Sequence, residues 1–206
     1  MEPASGGATL AVMSELDPEA PSSPSPRLRL AGFVCAALGA LLAGAATMLT
    51  WVLPSVKDLP PELVPTYFGI DLPDGLVVLA LAVVIVIAVL VARVGGAARG
   101  RRGAAIVVIV ASFIVIGVSG AAIVTASSRF EPTVVDDVLA IAAPDGATPQ
   151  QRADVEAFVE VKVGIGPWLA LAGGVLAFAG GIMTLAWASA TTPAPQRVLD
   201  ADGSTD

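Results

Sequence analysis

The chain has 206 residues, a mean hydropathy of +0.82 and a formal net charge of −7. Charged residues make up only 14% of it, against roughly 25% in ordinary soluble domains, and most of the apolar content falls into long, nearly uncharged blocks, so membrane insertion is the first question. The lone cysteine, Cys35, excludes an intramolecular disulfide, and with no histidine present metal chemistry could rest only on carboxylates.

Residues 1–27 are rich in Pro, Ser, Gly and Ala and read as a disordered cytoplasmic tail, with Met13 an alternative start to Met1. The apolar block that follows is much longer than the roughly 7–15 residues of a signal-peptide core. Within it, LAGFVC puts Val34 before Cys35, where a lipoprotein signal needs a small residue, so cleavage is not expected.

Four segments have the length and apolarity of membrane-spanning helices: 28–53, 75–94, 103–126 and 165–188. In hydrocarbon the backbone must satisfy its own hydrogen bonds. Even the β-branched run LVVLALAVVIVIAVLV is therefore expected to be helical. Arg27 and Arg29 precede the first span, and Arg93, Arg99, Arg101 and Arg102 crowd the short turn between the second and third. The connections 54–74 and 127–164 contain Lys57, Arg129, Arg152 and Lys162 against eleven acidic residues. The positive-inside rule then puts both termini in the cytoplasm, with residues 191–206 a second disordered tail. Arg99, Arg101 and Arg102 are candidate contacts for anionic headgroups, each contributing about 1 kcal/mol near the surface. Trp51 at the end of the first span, and Trp168 and Trp187 bracketing the fourth, read as interfacial anchors.

The fourth span opens GIGPWLALAGGVLAFAGG. It is no dinucleotide fingerprint: the sixth position is Leu169, Pro167 intrudes, and no acid follows until Asp200. Its small residues instead recur every seven positions. Gly166, Gly173 and Gly180 fall on one face, with Ala170, Ala177 and Thr184 on the intervening turns. Gly32, Gly39 and Ala46 form a matching series in the first span, and Ala105, Ser112, Ser119 and Ala126 a weaker one in the third. Because small residues allow close backbone packing in lipid, spans one and four should pack closely and span three should join them. Span two has almost no such series and should face lipid most fully.

Of the outer connections, LPSVKDLPPELVPTYFGIDLPDG is proline-rich and expected to be extended, with Tyr67 and Phe68 available to pack or touch the interface. TPQQRADVEAFVEVKV begins with a capping-box pattern at Thr148 and Gln151. Val155, Phe158, Val159 and Lys162 follow at helical spacing, with Arg152, Glu156 and Glu160 on another face, which predicts an amphipathic helix leading into the fourth span. Asp136, Asp137 and the turn at Asp145 lack the ligand spacing of a calcium loop and read as a solvated acidic surface.

The expected fold class is therefore an all-α integral membrane protein: a four-transmembrane-helix bundle over residues 28–190, with a small extracytoplasmic cap containing an amphipathic helix. The layout resembles a loose group of actinobacterial four-span membrane proteins that includes the tryptophan-operon-associated membrane proteins. The resemblance lies in MLTWV, the Arg-rich inner turn and GPWLALAGGVLAFAGG; it implies the architecture and carries no molecular activity. Tetraspanins and claudins share the layout but differ in their outer cysteines.

No acid lies within a span, where it would mark an ion path, and general-base histidines and Cys/His pairs are missing. The expectation is a non-enzymatic accessory or scaffold component of the bacterial cytoplasmic membrane, without cofactor or metal. Its partners would be membrane lipids and a protein partner or second copy, not nucleic acid. A small-molecule transporter or channel subunit, and a membrane enzyme using outer-loop carboxylates, stay open.

Overall fold

The computed structural model describes residues 26–56, 64, 66–95, 98–143 and 145–190. The two tails read from the sequence lie outside these residues, apart from Pro26 and Arg27. The elements in chain order are α1 (Pro26–Ala46), β1 (Thr50–Val56), β2 (Tyr67–Phe68), a 3-10 turn (Gly69–Asp71), α2 (Pro73–Val94), α3 (Ala98–Ala142), α4 (Pro149–Phe158), β3 (Val159–Val163) and α5 (Ile165–Ala190). Four helical segments, Arg27–Ala46, Pro73–Val94, Arg99–Ala126 and Ile165–Ala190, are long and apolar enough to cross a bilayer. The molecule is a multi-pass helical membrane protein.

The bundle is organised by α5. Gly173 and Gly180 face α1, where a Cβ on Gly173 would lie 2.6 Å from the Gly39 carbonyl oxygen and one on Gly180 would lie 2.6 Å from that of Gly32. On the other side, a Cβ on Gly39 would meet the Gly173 carbonyl oxygen at 2.5 Å, and one on Gly32 the Thr184 hydroxyl at 2.8 Å. No side chain fits between these two antiparallel backbones. Successive helical residues point about 100° apart, so the second glycine of each pair faces a different neighbour. Gly174 receives Val115 and Ile116 of α3, and Gly181 receives Val108 and Ile109. The doubled glycines thus seat two helices at once, α1 by backbone contact and α3 by branched side chains. The α1–α5 contact is the most extensive in the fold and α3–α5 comes next.

The buried Ser119 hydroxyl has no hydrogen-bond partner among the described residues, but two other bundle hydroxyls bond locally: Ser112 donates to the Val108 carbonyl at 2.6 Å and Thr184 to that of Gly180 at 2.8 Å. Both are i to i−4 bonds, which let a polar side chain sit in an apolar interior.

Three expectations are corrected. The first span stops at Ala46, not Leu53: a tight turn over Thr47–Leu49 follows, closed by i to i−3 backbone bonds, and the chain then enters β1. The third helix does not end at residue 126 but runs unbroken to Ala142, past Pro132. At 1.5 Å per residue α3 is about 67 Å long, so about 24 Å projects beyond its membrane segment. The second span is not the most lipid-exposed. Of the apolar stretch in α2, 39% is buried, as much as in α5 and more than the 28% of α1. Gly75, Val78, Ala82, Ile85, Val89 and Ala92 form its buried face, and a run of uniformly apolar residues conceals such a face from periodicity.

Gly173→Leu should lower the melting temperature in detergent sharply, because a branched side chain there overlaps backbone that no rotamer change can move. The loss should exceed the about 1–3 kcal/mol of ordinary overpacking. Val84→Leu, on the exposed face of α2, should leave melting unchanged; equal tolerance at both positions would refute the backbone contact.

Candidate functional site

Outside the four spans, the two long connections build one folded layer. Three antiparallel strands pair in the order β2-β1-β3, with β1 and β3 in register from Val52–Val163 to Val56–Val159. The sequence VEVKV alternates, as a half-buried strand does. Val159, Val161 and Val163 turn inward opposite Val56, Pro54 and Val52, while Glu160 and Lys162 lie outward beside Ser55 and Leu53. The expected amphipathic helix is thus cut short. Residues 149–158 are helical and 159–163 are strand, because β1 offers a hydrogen-bonding edge that helical spacing cannot reveal. Leu53, Ser55, Glu160 and Lys162 form a solvated outer face.

The inner face packs on the projecting part of α3. Val134 and Val138 bury against Val56 and Val64, with Tyr67, Val155, Val159 and Val161 around them. Polar links tie the layer to α3. The Tyr67 hydroxyl donates to the Asp137 carboxylate. Arg152 of α4 bridges Asp136 at 2.8 Å and Glu156 at 3.1 Å. Arg129 of α3 bridges Asp74 in the first turn of α2 at 2.7 Å, where the helix dipole also favours an acid. The adjacent carboxylates Asp136 and Asp137 thus take different partners. At the start of α4, Thr148 accepts from the Gln151 backbone N–H at 3.3 Å, and its own N–H donates to the Gln151 side chain at 2.8 Å, closing the capping box.

The layer joins the bundle through Trp51. Expected to be an interfacial anchor, its side chain is instead 1% exposed. Its indole N–H donates at 2.9 Å to the carbonyl of Ala46, the last residue of α1, which also accepts from the Leu49 N–H at 3.2 Å. Gly69 and Gly166 close on the indole from either side, and a Cβ on either would overlap the ring. Gly166, assigned by its spacing to the helix-packing stripe, therefore lines the Trp51 slot, with the Ala46 carbonyl also close by. The Gly164 N–H donates to the Trp51 carbonyl at 2.9 Å, pinning the start of α5 to β1.

At the opposite end of the bundle lie Arg29, Arg93, Arg99, Arg101 and Arg102. Trp187 is another corrected anchor. Only 8% exposed, it is covered by the guanidinium groups of Arg29 and Arg101 at 4.9 and 5.1 Å from its ring, a double cation–π contact. Arg101 and Arg102 are half-buried, and Arg99 is exposed. Trp168 alone of the three tryptophans is open, at 52% exposure, near the sheet end of α5.

Local sequence patterns mark the α4 cap and the acidic character of this end. Tyr67–Asp137 and Asp74–Arg129 join residues far apart in the chain and leave no such pattern. The sequence matches no known family model and no curated protein.

Burial raises the Tyr67 pKa first, and the hydrogen bond and charge of Asp137 raise it further, well above the ordinary value near 10. A raised folded value means that the phenol's contribution to stability is complete below about pH 10 and is lost as pH rises through the folded value. Tyr67 is the chain's one tyrosine, so absorbance at 295 nm follows it alone. Tyrosinate should stay undeveloped at pH 10–11 and emerge only with unfolding; a simple titration near 10 would contradict the buried contact. Trp51→Phe removes the indole hydrogen bond to Ala46 and part of a buried ring, and should destabilise the protein by about 1–3 kcal/mol.

Proposed function

We propose that the protein is an accessory or scaffold component of a bacterial cytoplasmic membrane, presenting the sheet layer outside the cell to a protein partner or a second copy. The observation that carries this reading is the layer itself. It is folded and ion-paired, fastened to the bundle through Trp51, with one face packed on α3 and the other open to solvent. β3 lies at the edge of the sheet, where unpaired backbone groups can receive another strand.

The bundle interior supports the same reading over transport by a single chain. The gap among its four helices near Thr184 and Gly181 holds about 10 Å³, no more than a single water needs.

The proposed orientation rests on charge. Six arginines, Arg27, Arg29, Arg93, Arg99, Arg101 and Arg102, gather at one end of the bundle, while Asp74, Glu131, Asp136, Asp137, Asp154, Glu156 and Glu160 lie at the sheet end. The positive-inside rule then puts the arginine end and both termini in the cytoplasm and the sheet layer outside. The likeness to actinobacterial four-span proteins agrees with this layout.

Alkaline phosphatase fused after Asp145 should be active, and fused at the C-terminus inactive; the reverse pattern would overturn the orientation. A photo-crosslinking side chain at Ser55 or Glu160 should give one discrete adduct in intact cells. Only monomer at both positions would overturn the partner reading.

A further inference from the structure

The small residues of α1 fall on two faces with different fates. Toward α5 the backbones meet, as at Gly39. Toward α2 they do not: a Cβ on Gly44 would find its nearest neighbour, the Ala82 methyl, at 3.7 Å, an ordinary contact. Small residues without close approach leave a trough. Its opposite wall is Leu79, Val83 and Leu90 of α2.

The trough contains two hollows. One, of about 430 Å³, lies between Phe33 and Leu90 at the arginine end. The other, of about 480 Å³, lies between Gly44 and Val83 toward the sheet. Their α1 linings recur at helical spacing from Leu30 to Ala45, about 22 Å along the helix axis. On α2, Leu79, Val83, Val86, Leu90 and Arg93 continue one stripe. Both hollows are thus stations along a single seam facing the bilayer.

The lining is apolar except at one place. Arg29 and Arg93, from different helices, border the same hollow at its arginine end, and no acid lines either hollow. Guanidinium pairs suit phosphate oxygens, which they can engage with paired hydrogen bonds. A long apolar trough with cations at one end is complementary to an anionic headgroup carrying an acyl chain.

We propose that the α1–α2 seam binds one anionic glycerophospholipid, its phosphate between Arg29 and Arg93 and one acyl chain laid along the trough toward Met48. This site is separate from the sheet layer and does not depend on which side of the membrane the arginine end faces. It also differs from diffuse attraction of headgroups by Arg99, Arg101 and Arg102, since none of these three borders either hollow.

Native mass spectrometry of the full chain in detergent, titrated with phosphatidylglycerol or with phosphatidylcholine of the same acyl chains, tests this. A one-to-one phosphatidylglycerol adduct is expected, at least fivefold tighter than any with phosphatidylcholine. Arg93→Gln should weaken it about fivefold, the effect of one arginine at a headgroup, and Arg99→Gln should not. Arg29 also stacks on Trp187, so its replacement is not used. Ala45→Phe fills the trough from an exposed position and keeps both arginines; it should weaken the lipid adduct as well. Glycerol phosphate, the headgroup without chains, should not compete at equal concentration. Equal binding of the two lipids would overturn the proposal, as would equal losses in the two arginine variants. Full competition by glycerol phosphate together with an unaffected Ala45→Phe would leave an anion site without a lipid.

Discussion

Backbone contact between α1 and α5 is the constraint on which the other arrangements depend. In lipid, burying apolar side chains between helices supplies little drive, and association rests on dispersion and close approach. Gly39 and Gly173 supply that approach by having no side chains at the crossing. Once the two backbones touch, the second glycine of each α5 pair faces α3, and its Val and Ile side chains fill the holes. α2 completes the bundle mainly through α3. Its seam with α1 is the loosest in the ring, and the trough lies along that seam.

The same contact carries order out of the membrane. It sets the end of α1 beside the start of α5, which brings the Ala46 carbonyl, Gly166 and the Trp51 indole together. β1 leaves from that point and β3 returns to it. The long projection of α3 then gives the sheet an apolar surface to cover. A small sheet alone would be marginal; here the bundle holds one end and α3 supports one face. Trp51 is therefore the point at which the bundle and the layer are joined.

Charge divides the molecule as sharply as packing does. At one end arginines stack on Trp187 or border the trough, and at the other carboxylates meet arginines and a tyrosine. The buried phenol of Tyr67 takes the Asp137 carboxylate as its partner, so one polar pair helps to hold β2 against α3. The two ends thus differ in chemistry: arginines beside an apolar trough at one, a folded, mainly acidic surface at the other.

What could be read from the residues alone follows from local periodicity. Length and apolarity marked the four spans, seven-residue spacing put glycines on one face, and Thr148 with Gln151 marked a helix start. Each is a relation among residues within two or three turns of one another. The small sheet was illegible for the opposite reason. VEVKV satisfies strand alternation, yet Val155, Phe158 and Val159 before and within it also fit a helix, and only the distant edge of β1 decides between them. Trp51 at the end of an apolar run is indistinguishable from an anchor until Gly69 and Gly166 close around it. The buried face of α2 is hidden because every residue around it is apolar too. Sequence by itself therefore determined which segments enter the membrane and where backbones can approach. Tertiary structure decided which faces meet and what the connections become, because those outcomes depend on partners far away in the chain.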